Sequence, residues 1–196
     1  MSDVFPPGSL NNDGDVLPAP ADQTGSGATA LFTATADATV GNTTTETTLF
    51  GSGSGSLTLS ANYLTTGKTV AVRMWGYITT NVTPTFRLRL KLGSTVIADS
   101  VAVATPNIGA TARPFIVDAI ITCRTTGATG TVMAQVEYLI GGTASSLTVA
   151  TEGSETNAAV TIDTTATQAV DLMATWGAAN AQNTVTVTNA CLLPLN

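Results

Sequence analysis

Between residues 68 and 98 apolar and polar positions alternate. In TFRLRLKL (85–92), Phe86, Leu88, Leu90 and Leu92 fall on one side, and Thr85, Arg87, Arg89 and Lys91 on the other. Successive strand side chains face opposite sides of a sheet, so the pattern predicts a strand with one dry face and one basic face. In TVAVRMWGYI (69–78), Val70, Val72, Met74 and Ile78 lie opposite Thr69, Ala71, Arg73, Trp75 and Tyr77. The two segments are expected to pair across a turn at 81–84, with the other strands laid against them. Phe86, Leu88 and Leu90 should be among the most buried residues.

The same alternation predicts strands over 31–36, 43–50, 56–59, 62–64, 95–104, 115–123, 131–140, 145–150, 158–162, 168–176 and 183–195. Turn residues separate them, including Thr66-Gly67, Gly93-Ser94, Gly127 and Gly141-Gly142. GSGSGS (51–56) and the polar stretch 151–157 read as loops. Trp176 reads as a core or loop-anchoring residue. No segment carries a helical apolar period over three turns. Close-spaced strands with turn signals indicate a sandwich or barrel. About eight main strands predict an all-β, jelly-roll-like antiparallel β-sandwich with two sheets of four. An immunoglobulin-like sandwich is disfavoured, because no Cys…Trp…Cys pattern is present.

The first thirty residues differ. Prolines at 6, 7, 18 and 20 and glycines at 8, 14, 25 and 27 interrupt any regular element. Val4, Phe5, Leu10, Val16 and Leu17 nevertheless supply apolar anchors that a solvated linker would lack. Residues 1–30 are therefore read as an extended arm that docks through these anchors, and residues 31–196 as one sandwich domain.

Composition changes this picture in one respect. Charged residues make up only 10% of the 196 residues, and Thr, Ser, Ala, Gly and Val fill the gap. A surface poor in charge suits a protein held in an assembly. The net charge of −6 disfavours nucleic acid as a partner. No apolar run is long enough to span a bilayer, and the first residues lack a signal-peptide pattern, so synthesis in a cytoplasm is expected. Asp3, Asp13, Asp15, Asp22, Asp37 and Glu46 precede the first basic residue, Lys68. From Lys68 to Lys91 every charge is positive. The acidic front and the basic strands are expected to attract each other, within one subunit or between neighbours.

Candidate chemistry is sparse. The chain has no histidine, which excludes a Ser-His-Asp triad, a Cys-His dyad and a typical zinc site. Asp118, Glu137 and Asp171 could provide paired carboxylates of glycosidase type, but aromatic residues are only 5% of the chain. Asn11–Asp15 lacks calcium-loop spacing and is read as a turn. The glycines at 51, 53 and 55 do not lead into a helix and cradle no phosphate. Cys123 and Cys191 are expected as free, buried thiols. No catalytic, metal or cofactor site is assigned. Trp75 and Tyr77, beside Arg73, could contact a sugar or a partner protein.

Three segments resemble a recurrent module of tailed-bacteriophage virion proteins. They are Gly-Ser-Gly before Ser-Leu-Thr-Leu (51–59), the Gly-Lys-Thr turn (67–69), and Thr-Pro-Thr (83–85) leading as a hairpin into an Arg/Lys-Leu-Gly strand (89–93). Residues 121–134, with Cys123, Arg124 and Gly127, match as well, and the likeness covers 47–135. The resemblance implies a structural protein of the virion: a homotrimeric β-sandwich decorating a capsid or forming a head fibre or tail part. Its partners would be further copies of itself and the major capsid protein or another virion protein. Host-surface glycan is the alternative partner, contacted by Trp75, Tyr77 and loop residues such as Asn107 or Asn180. The assembly residues expected on these grounds are Val4, Phe5, Leu10, Val16 and Leu17 on the arm, and Arg73, Trp75, Arg87, Arg89 and Lys91 on the strands.

Overall fold

The computed structural model describes residues 29–141, 147–150 and 158–196. The arm anchors Val4, Phe5, Leu10, Val16 and Leu17 and the loop 151–157 lie outside the described residues. The described chain is all β. Its strands are β1 (Phe32–Ala34), β2 (Ala38–Gly41), β3 (Thr47–Thr48), β4 (Gly53–Gly55), β5 (Thr58–Leu59), β6 (Thr69–Thr80), β7 (Thr85–Leu92), β8 (Thr95–Asp99), β9 (Val103–Ala104), β10 (Gly109–Thr125), β11 (Gly130–Gly141), β12 (Leu147–Ala150), β13 (Val160–Ile162), β14 (Gln168–Trp176) and β15 (Thr184–Pro194).

Two antiparallel sheets pack face to face. The large sheet runs β12-β11-β10-β6-β15-β1-β4, with β13 beside β11 and β2 beside β15. The small sheet runs β3-β14-β7-β8, with β5 beside β14 and β9 beside β7. Nine and six strands replace the expected four and four, because several short edge segments join each sheet. Successive strands β6 and β7 lie in different sheets, and each pairs with a late strand, β15 or β14. This winding is jelly-roll-like. β10 and β11 instead form a long pair within the large sheet.

The core matches the alternation. Val70, Val72, Met74 and Ile78 on β6 face Phe86, Leu88, Leu90 and Leu92 on β7 and its neighbours. Phe86, Leu88 and Leu90 are fully buried. An aromatic cluster ties the sheets together at one end: Phe86 lies 4.7 Å from Trp176, 5.8 Å from Phe115 and 5.9 Å from Tyr138, measured between ring centroids. The Trp176 indole donates to the Val40 carbonyl at 3.1 Å, so its single donor is satisfied in the core.

Four expectations are corrected. The 81–84 turn does not close a hairpin; it carries the chain from the large sheet to the small one, with Val82 and Thr83 both at positive φ. Residues 43–50 do not make one strand: only Thr47 and Thr48, as β3, pair within that range, with β14 in the small sheet. Residues 95–104 break at Val101, where φ is 52°. GSGSGS is not all loop, since β4 pairs with β1 beneath the Phe32 ring. A Cβ on Gly53 would come within 2.3 Å of that ring, which is why glycine is required there.

Candidate assembly faces

Because β6 and β7 belong to different sheets, their outward residues leave the sandwich on opposite sides. Arg73 and Trp75 point off the large sheet, whereas Arg87, Arg89 and Lys91 point off the small one. The single basic face suggested by alternation is therefore two separate faces.

On the small sheet the cations are matched within the chain. Asp99 on β8 is opposite Arg89 in register. Its carboxylate accepts from Arg87 Nε at 2.7 Å and from Arg89 Nε at 3.1 Å, and a second Arg87 nitrogen closes a fork. Glu46, just before β3, reaches over β14 to accept from Arg89 Nη1 at 3.0 Å and from Lys91 Nζ. These side chains are only 16–31% exposed. Burial pushes the Glu46 carboxyl up, but hydrogen bonds from Lys91 and Arg89 outweigh it and hold the group below the ordinary carboxylate range. Asp99 behaves alike: burial raises it, and Arg87, Arg89 and the Val101 N–H lower it further. The Arg89 guanidinium is held above its usual value, chiefly by Glu46. Asp171 lies opposite Lys91 in register and accepts from the Thr48 hydroxyl at 2.6 Å, yet burial leaves its carboxyl above the ordinary range. The acid that meets this face is thus intramolecular, and one donor of it, Glu46, comes from the acidic front of the chain.

The outer face of the large sheet has a different composition. Arg73 Nε lies 3.2 Å from Asp118, and these side chains are 46% and 52% exposed. Trp75, Tyr77 and Ile120 are 42%, 40% and 40% exposed. Register places Trp75 opposite Ile116 and, beyond it, Leu139; it places Arg73 opposite Asp118 and, beyond it, Glu137. Ile116 and Leu139 are half-buried on this same face. An apolar band thus flanks a short row of charge. Cys191 is half-buried in this row, opposite Arg73. Burial pushes its thiol up, with Arg73 opposing. Cys123 is buried, and its thiol too is pushed up by burial; both cysteines are free.

Of the candidate carboxylates, Asp118 and Glu137 come together on adjacent strands, while Asp171 lies on the other sheet. Among the described residues no group of three or more acidic or thiol side chains could hold a metal ion. Asn107 and Asn180 sit in loops at the end of the sandwich reached by the 81–84 turn. There the Thr80 hydroxyl donates to the Pro106 carbonyl, and Asn183 accepts from the Asn81 N–H at 2.8 Å. Asn180 is engaged with Gln182 N–H at 2.8 Å. The alternation did not single out Glu46, Asp99, Ile116, Ile120 or Leu139. The paired apolar residues Ile116-Val117 and Ile120-Ile121 carry the missed signal, since a strand apolar on both sides is one whose outer face is also apolar.

No family model, no curated protein and no solved structure matches the chain.

Proposed function

We propose that the chain is a non-enzymatic structural protein of a bacteriophage virion, a capsid decoration or head-fibre subunit. The sandwich is the body, and residues 1–30 are the arm that attaches it to the major capsid protein or another virion protein. The protein is made in the host cytoplasm and resides in the particle, in copies that associate with one another. The observation that carries this reading is the asymmetry of the outer faces. The charged face is closed on itself, while Trp75, Tyr77 and Ile120 stand out of the other among further apolar side chains. An apolar patch rimmed by polar residues marks a surface that meets another macromolecule.

The carboxylates favour a non-enzymatic reading. Asp118 and Glu137 are direct cross-strand neighbours on an open sheet face. A glycosidase needs its two carboxyls on opposite sides of the scissile bond, and neighbours on a flat face approach a sugar from the same side. The test is deletion of residues 1–27, followed by measurement of how much protein joins assembled particles. Incorporation is expected to fall to background, and incorporation equal to that of the full chain overturns the arm's role.

A second reading is a receptor- or glycan-binding domain of a tail or fibre. Trp75 and Tyr77 offer stacking surfaces beside Arg73, Asp118 and the exposed Asn189, which offer hydrogen bonds. A glycan array probed with the full chain and with Trp75→Ala separates the two readings: specific binding that the substitution abolishes favours the receptor domain.

A further inference from the structure

We infer that the inner part of the arm, residues 13–28, lies back on the end of its own sandwich where β6 begins, held there by Lys68 and Arg124. The inference rests on the reading of residues 1–30 as an attachment arm. It goes beyond that reading by fixing the arm's root on its own subunit and leaving residues 1–12 to reach a partner.

The first observation is where the arm leaves the body. The Leu31 N–H donates to the Leu192 carbonyl at 2.8 Å, and Phe32 is in register with Leu192 on β15. β15 is antiparallel to both β1 and β6, with Leu192 opposite Val72 and Pro194 opposite Val70. β1 and β6 therefore point the same way, and the residues before Leu31 head for the end of the sheet at which β6 begins. Lys68, one residue before β6, sits at that end. Arg124 sits there too: the Gly67 N–H donates to the Cys123 carbonyl and the Cys123 N–H to the Lys68 carbonyl, both at 2.9 Å. Leu195, 51% exposed, follows β15 at the same end, and its N–H donates to the Thr69 carbonyl at 2.9 Å.

The second observation is charge. Arg73, Arg87, Arg89 and Lys91 each have an ion pair, whereas Lys68 and Arg124 have none among the described residues. Lys68 Nζ lies 5.2 Å from the Tyr63 ring centroid and donates to the Asn196 backbone oxygen. Arg124 is exposed. Asp163, beside the β10–β11 turn at this end, accepts instead from the Thr165 hydroxyl and N–H. Arg113, also without an ion pair, is far from this end, in register with Ile78. The arm carries the complement. Asp13, Asp15 and Asp22 flank Val16 and Leu17, and residues 1–30 contain no Lys or Arg. An apolar pair set between acids thus meets an exposed leucine set beside cations.

The third observation is reach. β1 and β10 are separated by β15 and β6, which is three strand spacings or about 14 Å. Asp22 stands nine residues before Leu31, about 30 Å of extended chain, and Asp15 and Asp13 have more. A segment tethered this close meets its site at an effective concentration of about millimolar. The arm of a second copy does not match that in dilute solution, so the occupant is the chain's own arm.

The experiment is zero-length carbodiimide cross-linking of the full chain, which joins a carboxylate to an amine in contact with it, read by mass spectrometry of the digest. Lys68 and Lys91 are the only lysines. Lys68 is expected to join Asp13, Asp15 or Asp22. Lys91 should join Glu46, its partner in the fold, and this second link reports folding in every variant. In an equal mixture of ordinary and nitrogen-15 chains, both halves of the Lys68 link should carry the same isotope. Arg124→Gln should cut the Lys68 yield about threefold, and 1 M sodium chloride should cut it further, with the Lys91 link intact. Arg124→Lys should keep the yield and add a link from its own amine to the same aspartates. Lys68 joined only to the chain's terminal carboxylate, Asp163, Glu152 or Glu155 overturns the inference, as do links of mixed isotope or a yield indifferent to Arg124→Gln. Absence of the arm link, in a protein that needs residues 1–27 to join particles, would overturn the docking and leave the attachment reading. The link present, in a protein that joins particles without residues 1–27, would leave the docking and remove the attachment.

Discussion

The two outer faces of the sandwich are built on the same alternation and reach opposite results. On the small sheet, Arg87, Arg89 and Lys91 are held by Asp99 and Glu46 in half-buried, forked contacts. On the large sheet, one exposed pair, Arg73 and Asp118, sits among Trp75, Ile116, Ile120 and Leu139. Charge removed from water gains from each partner and loses when one is missing. The first face is therefore a matter of stability. The second has little to lose within one subunit, because an exposed pair contributes about 0–1 kcal/mol. Its side chains are the ones the proposed assembly would cover.

The contrast breaks most sharply at Asp99. Asp99→Ala strands Arg87 and Arg89 and should cost about 2 kcal/mol in urea unfolding, with no change in association. A cost below about 0.5 kcal/mol would mean that the small-sheet network is solvated after all. Acid should act on the same face. Glu46 and Asp99 are both held below the ordinary range, so their contribution is full above the unfolded-state carboxylate range and is lost as pH falls through their folded values. Asp171 runs the other way: its carboxyl is raised, so its ionised form is a cost that protonation removes. Asp163, held by the Thr165 hydroxyl and N–H, is lowered as well, and three lowered carboxyls against one raised predict a urea midpoint that falls below about pH 4, with a shallower fall in Asp99→Ala.

A smaller effect is expected at Val101, whose N–H donates to Asp99 at 2.9 Å from a backbone with φ of 52°. Val101→Gly relieves a β-branched residue of the left-handed conformation and should raise stability by about 0.5 kcal/mol, after the loss to the more flexible unfolded chain. The least change is expected on the large sheet. Ile120→Thr should alter the stability of the monomer by no more than about 0.5 kcal/mol while weakening association. A large loss of monomer stability would place Ile120 in the fold rather than at an interface.

Alternation was enough to find the core. Phe86, Leu88, Leu90, Phe115, Val117, Val136 and Tyr138 all lie inward as their positions require. It could not tell which strands are neighbours. Periodicity is local, whereas β6 pairs with β15 far along the chain, so Arg73 and Arg87 looked like one face. Short segments were misread for the same reason. Gly53–Gly55 has no apolar side chain to count, and it is a strand because Phe32 and its neighbours accept only a bare backbone there. The cations were legible at the candidate site, and so was one partner: Glu46 belongs to the acidic front expected to attract them, whereas Asp99, delivered by β8 across an irregular register with β7, was not.

The position of β15 also bears on how the molecule comes into being. It lies inside the large sheet, between β6 and the short strands β1 and β2, although it is the last strand in chain order. During synthesis β6 emerges roughly 100 residues earlier and waits roughly 5–20 s at ordinary elongation rates for its neighbour. Through that interval one edge of β6 and one edge of β1 carry unpaired backbone groups, which are templates for wrong partners. Nascent chains crowded on one message would be at greatest risk of strand exchange in that window, and a ribosome stalled before residue 184 would release a sheet that has its flanks and lacks its middle.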